Sequence, residues 1–198
     1  MGLITTAIIV FALNPQAGKG KPTSSAKPTS DVSQDRINEI WGHIDTRINN
    51  QADIWYELGE FPSCVSLLRV QSGYQPNNYE ICTNLGWMLE NIELPMDAMD
   101  VYINFAKGHP NWGDAMFPAG NGYFNLKDYP NAIKVLEPSL SKNPNENTYR
   151  VLAKAYERSG KFQDAIRIWE LELKRFPKEL TPIANIKRVK AKIAAGGK

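Results

Sequence analysis

The residue types that most often do chemistry are scarce in this chain of 198 residues, and their spacing builds no reactive group. There are two histidines, His43 and His109, and two cysteines, Cys64 and Cys82. Neither histidine accompanies a candidate nucleophile, and the four residues form no metal-ligand spacing, so a triad and a metal centre are both disfavoured. No glycine-rich phosphate loop, nucleophile elbow, HExxH or CxxC motif occurs. Carboxylates are plentiful, but they recur at the spacing of solvated helix faces. The reading is therefore not an enzyme, with no cofactor and no catalytic residue; the chemistry that remains is recognition.

The elements that would position recognition residues follow an internal period. Pro76, Pro110, Pro144 and Pro177 recur at intervals of 34, 34 and 33 residues, each twelve residues after a small side chain: Cys64, Ala98, Ala132 and Ala165. A period of this length marks stacked two-helix units, each too small to bury its apolar face alone. The last unit shows the pattern most plainly. Tyr149, Leu152, Ala153 and Tyr156 have the spacing of one helical face, Gly160 suits a left-handed helix end, and Phe162, Ala165, Ile166, Trp169 and Leu173 form a second helical face. Small Ala153 and Ala165 would let the two backbones approach closely.

This pattern resembles the tetratricopeptide repeat (TPR) family: an aromatic, Leu-Gly/Ala, Tyr, Gly, an aromatic, a small residue, an aromatic and a closing proline. The third unit carries Ala119, Gly120, Tyr123, Tyr129, Ala132, Ile133 and Pro144. The second carries Leu85, Gly86, Leu89, Ala98, Tyr102 and Pro110, and the first Ala52, Trp55, Gly59, Phe61, Cys64, Val65, Leu68 and Pro76. The resemblance implies an all-α solenoid of four helix-turn-helix units, about 45–78, 79–112, 113–145 and 146–178, within a domain 32–178. A long leading helix from about Ser33 to Leu58 and a capping helix within 179–195 would close the ends. In the capping helix Thr181-Pro182 is a start signal, and Ile183, Ile186, Val189 and Ile193 share a face.

Departures from the pattern carry expectations of their own. Lys127 replaces the turn glycine of unit three. Pro62 and Pro130 fall at helix starts, where a missing N–H costs nothing. Pro118 and Pro138 fall inside expected helices, and with Gly120 and Gly122 following, the first helix of unit three should be kinked or poorly formed. A tolerated bend is favoured over a widened groove. Cys64 and Cys82 read as small buried side chains, with a disulfide as the alternative in an exported protein.

Net charge is +2 but unevenly distributed. Residues 31–120 hold thirteen acids and four bases, a balance of −9, whereas residues 121–198 hold sixteen bases and eight acids, a balance of +8. Such polarity would orient a partner electrostatically, or reflects chance variation of solvated faces. At the front, Leu3–Leu13 is an uncharged apolar run of eleven residues. It is shorter than the about 20 residues of a membrane span and matches the core of a signal peptide. The expectation is a leader over 1–17, a flexible linker over 18–31, and export to the periplasm or outside the cell. No basic residue precedes the run, and Pro15 is unfavourable for cleavage after Ala17. A cytoplasmic protein with an apolar tail is the alternative, and membrane association would come only through this run.

In the resembled family the first helix of each unit lines a concave groove. Carried over position by position, the resemblance places Asp53, Glu57, Glu90 and Glu157 among the groove-lining residues, and the partner-binding set singled out from them is Tyr56, Trp87, Asn91, Phe117, Asn121, Phe124, Asn125, Arg150, Lys154 and Arg158. Trp87, Phe117 and Phe124 would be exposed anchors, or would instead pack against neighbouring helices. Asn121 and Asn125 suit a peptide backbone, each amide offering donor and acceptor. Arg150, Lys154 and Arg158 lie at i, i+4 and i+8, a basic stripe that a bound acid would relieve. Some family members bind acidic chaperone tails through a lysine-asparagine clamp; Asn49 and Asp53 stand at the matching places, so that partner is not carried over. The resulting expectation is a scaffold that binds a protein or peptide, with acidic groups on the basic stripe. The alternative is nucleic acid or an anionic surface bound through the basic C-terminal half, where Lys187, Arg188, Lys190, Lys192 and Lys198 cluster without an aromatic platform.

Overall fold

The computed structural model describes residues 29–196, and side chains from residue 33 onward. The expected leader, and all but the last three residues of the expected linker, lie outside the described residues. The chain falls into two compact units, residues 1–42 and 43–198. Of the first, the described part is the leading stretch of α1 (Thr29–Glu57), on which Ile37, Ile40 and Trp41 are exposed. Helix α1 thus begins inside the segment expected to be linker and ends one residue before the expected Leu58.

The second unit holds the end of α1 and then α2 (Phe61–Tyr74), α3 (Tyr79–Asn91), α4 (Pro95–Gly108), α5 (Phe117–Asn125), α6 (Tyr129–Leu136), α7 (Glu146–Arg158), α8 (Phe162–Arg175) and α9 (Thr181–Ala194). Among the described residues there is no strand. The end of α1 pairs with α2 through the Cys64 thiol on the Ala52 carbonyl and the Tyr56–Phe61 ring contact; α3–α4, α5–α6 and α7–α8 are helical hairpins in the order the period requires, and α9 packs on α8.

One turn is repeated four times. The N–H groups of Glu60, Leu94, Asp128 and Lys161 donate to the carbonyls of Trp55, Leu89, Tyr123 and Tyr156, five residues back, at 2.8, 2.9, 2.9 and 2.9 Å. Each closes a helix C-terminus over one residue with left-handed backbone. Those residues are Gly59 (φ 74°), Glu93 (φ 64°), Lys127 (φ 63°) and Gly160 (φ 74°). Two of the four turns therefore form without glycine.

Close helix pairing explains the small residues. Cys64, Ala98, Ala132 and Ala165 are fully buried. A Cβ on Gly86 would lie 2.1 Å from the Tyr102 ring, and one on Gly120 2.3 Å from Leu136, so these backbones sit where no larger residue fits. One apolar core is built on Leu68, Leu85, Leu89, Met99 and Phe105, and a second on Leu136, Leu152, Ile168 and Trp169; Tyr123 packs against both. Phe162, Ile166 and Val189 form a third, which fastens α9. Ile186 and Ile193 join it, but Ile183 is exposed, because Pro182 takes the buried place in the first turn. Both cysteines are buried free thiols, not a disulfide. Cys64 Sγ donates to the Ala52 carbonyl at 3.4 Å, and burial pushes the Cys82 thiol up to about 12.

Repeat three departs from its neighbours, and the prolines account for it. Helix α5 has nine residues against thirteen in α3 and α7, because it starts at Phe117 with Pro118 in its first turn. Of the kinked or poorly formed helix expected there, the structure shows the second: Pro118 opens a shortened helix with no kink inside it. Residues before it are held elsewhere: a Cβ on Gly113 would lie 2.7 Å from the Lys142 carbonyl, and the Asp114 carboxylate accepts from Asn145 N–H at 2.9 Å and the Thr148 hydroxyl at 3.2 Å. Helix α6 ends at Leu136, and the chain continues as a tighter 3₁₀ turn, Glu137–Lys142, with Pro138 at its start. A proline ring inside α6 would clash with the carbonyl four residues back, so the helix changes type there.

Candidate functional site

The first helices of the four repeats lie side by side. The Tyr56 ring on α1 is 6.1 Å from the Trp87 ring on α3, the Glu90 carboxylate of α3 lies 3.5 Å from where a Cβ of Gly122 on α5 would stand, and α5 touches α7. These helices therefore present a shared face across the repeats.

The expected site residues divide on this face. Tyr56 and Trp87 remain 37% and 38% exposed while supporting one another. Such a pair offers aromatic surface to a guest at little further ordering cost. Phe117 is half-buried at the start of α5. Phe124 is also half-buried, its ring tilted against that of Tyr129 at 5.5 Å and packed on the core of the last two repeats, so this side chain serves the interior. Exposed Asn91 returns its Nδ2–H to the Trp87 carbonyl at 2.7 Å. Asn121 is half-buried and Asn125 exposed, and their amides make no hydrogen bond among the described residues.

The basic stripe is corrected at its first member. Arg150 donates through Nε to Glu172 at 2.8 Å and through a terminal nitrogen to Glu179 at 2.7 Å. Glu172 is fully buried on the apolar face of α8. Burial pushes its carboxyl up from the ordinary range and Arg150 pulls it back. Arg150 is thus a strut between α7, α8 and the segment beyond. Lys154 and Arg158 are exposed and, among the described residues, outside the ion pairs.

Glu90 falls at one of the groove positions carried over from the family but was not singled out among the expected binding residues. It is half-buried, and its one hydrogen bond comes from the Tyr102 hydroxyl at 3.4 Å. Desolvation raises its pKa above the usual carboxylate range, with the Tyr102 hydroxyl opposing. The signal was its place one turn after Trp87 on a helix that carries no Lys or Arg. The basic C-terminal cluster is likewise partly engaged: Arg188 makes two bonds of 2.6 Å to Glu157, and Lys192 lies over the Phe162 ring at 4.8 Å. Lys187 and Lys190 stay exposed. Among the described residues no group of three His, Cys, Asp or Glu could hold a metal ion, and no helix is long and apolar enough to cross a membrane.

Helical hairpins repeated in register with a recurring turn define a TPR-type α-solenoid. Solved structures carry the same fold. A crystal structure of MamA superposes with TM-score 0.59 at 22% identity, covering 79% of this chain and 85% of that one. A MamA segment from Desulfovibrio magneticus gives 0.57 at 19%, covering 77% and 85%. TTC0263, a thermophilic TPR protein of Thermus thermophilus, gives 0.54 at 15%, covering 71% and 78%. No protein-family model and no curated protein matches the chain.

Proposed function

We propose that this chain is a non-enzymatic scaffold that holds a segment of a partner protein along the face made by the first helices of its repeats. The observation that carries this reading is the mutually supported, exposed pair Tyr56–Trp87, in line with the unbonded amides of Asn121 and Asn125. Apolar side chains of the guest meet the rings, its backbone meets the amides, and an acidic group meets Lys154 and Arg158. The solved TPR-fold structures support a scaffold of this kind through the fold they share with it.

The test is to purify partners from the native source on the full chain and compare Trp87→Ala and Lys154→Glu variants with unchanged melting. Loss of the same partner in both is expected; full retention in both removes the reading. Export, proposed from Leu3–Leu13, places the binding outside the cytoplasm, and N-terminal sequencing of the mature protein decides it. An intact Met1 on soluble cytoplasmic protein would end that part.

A further inference from the structure

The first-helix face carries a charge gradient in register with the repeats. The ninth position of successive repeats reads Asp53, Trp87, Asn121, Lys154, and the thirteenth reads Glu57, Asn91, Asn125, Arg158. All but half-buried Asn121 are exposed. The same helices enforce the polarity: α3 and α5 contain no Lys or Arg, and α1 has none after Arg47.

At the acidic end the aromatic pair and an underbonded carboxylate stand together. Trp87 and Glu90 are one turn apart on α3, Tyr56 touches Trp87 from α1, and Asp53 lies one turn before Tyr56. Glu90 sits in a partly desolvated place with one long hydrogen bond, and neither α3 nor α5 carries a Lys or Arg, nor does α1 in the ten residues after Arg47. A charge held that way gains most from a cation brought to it. Aromatic faces favour the same guest, because their quadrupole attracts a cation.

We infer that the end of the face formed by α1 and α3 receives a lysine or arginine side chain of the partner segment, seated on Tyr56 and Trp87 with its charge toward Glu90, Asp53 and Glu57. This rests on the proposed binding face and adds the partner's chemistry. With Lys154 and Arg158 at the far end, the bound segment is itself polarised, basic over α1–α3 and acidic over α7, which fixes the direction in which it lies. Opposed charges at both ends also reject the reversed segment.

The experiment is selection of a random peptide library displayed on phage against the full chain. Selected peptides are re-measured against Trp87→Ala, Lys154→Glu, Glu90→Gln and a double Asp53→Asn, Glu57→Gln variant. The expected peptides lose binding to Trp87→Ala and share a Lys or Arg at a fixed position. Replacing that residue by Gln, or using the Glu90→Gln protein, weakens binding about tenfold, and combining the two changes adds little further. The double variant on α1 gives an independent reading should Glu90→Gln disturb packing. Peptides that need Trp87 but show no basic preference, or an acidic one, overturn this inference and leave the binding face standing. If no selected peptide responds to Trp87→Ala or Lys154→Glu, the face and this inference fall together.

Discussion

Glu90 and Glu157 occupy the same place in their repeats, the twelfth position of the first helix, two repeats apart. Their surroundings treat them in opposite ways. Glu157 receives both arms of Arg188 from α9 at 2.6 Å, with Lys192 at 3.9 Å, and these bonds hold its carboxyl below the ordinary range. Glu90 has a single 3.4 Å bond from Tyr102, and desolvation lifts its carboxyl above that range. The repeat sets the position, and the element packed beside it sets what the charge can do. In the last repeat the acid is a seam that fastens the cap. In the second repeat it is left with one long hydrogen bond.

The twenty-fourth position sharpens the contrast. It is Tyr102 in repeat two, whose hydroxyl serves Glu90, and Trp169 in repeat four, which is fully buried. Trp169→Ala should lower stability by about 3–5 kcal/mol, the cost of emptying a large core site. Trp87→Ala removes an equal side chain from the open face and should cost less than about 1 kcal/mol. Chemical denaturation of the two variants decides it. Equal losses would mean that α3 is sealed like the core, and the two regions would no longer differ.

Acid titration separates the two carboxylates by sign. Glu157 has a depressed folded pKa, so its pairing stabilises the fold above the unfolded value, near 4.5, and that contribution disappears as pH falls through the folded value. Arg188→Ala should therefore cost about 0.5–1 kcal/mol at neutral pH, a figure kept low because the Arg188 side chain is 51% exposed. The loss should vanish in acid. Glu90 has a raised folded pKa, so holding its charge costs stability as pH climbs from the unfolded value through the folded one. Glu90→Gln should melt at or above the parent at neutral pH, by up to about 0.5 kcal/mol, and converge with it below the glutamate range. Melting curves across pH that move both variants in the same direction would dissolve the distinction.

The period made the fold legible, because small residues, aromatics and prolines repeat at the spacing helix packing demands. The gain and loss of charge were less legible because they depend on partners from other repeats. Arg150 reads as one of three like charges on a stripe until Glu172 arrives from α8 and Glu179 from the segment after it. An acid three residues after Trp169, on an apolar face, was the available sign that something basic must meet it. Phe124 likewise reads as an exposed anchor until Tyr129 covers it. The shortened α5 was half visible: Pro118 announced a disturbance, while the place of the new helix start depends on Asp114 holding the next repeat's N-terminus.

Effects of similarly small size belong to the inter-helix turns, where the outer and middle repeats differ. Gly59 and Gly160 meet the left-handed turn without strain, and a Cβ there would touch nothing, so the conformation alone penalises a side chain. Glu93 and Lys127 adopt nearly the same angles and carry that penalty already. A left-handed non-glycine residue costs about 1 kcal/mol, offset in part by the greater freedom glycine has when unfolded. Glu93→Gly and Lys127→Gly should each stabilise by about 0.5 kcal/mol, and the double variant should add the two, since the turns share no partner. Gly59→Ala and Gly160→Ala should each destabilise by about 1 kcal/mol. Denaturation midpoints of the four variants measure this directly. If glycine at 93 or 127 lowers the midpoint, those turns are held by their side chains, and the middle repeats differ from the outer ones in more than which charges they leave open.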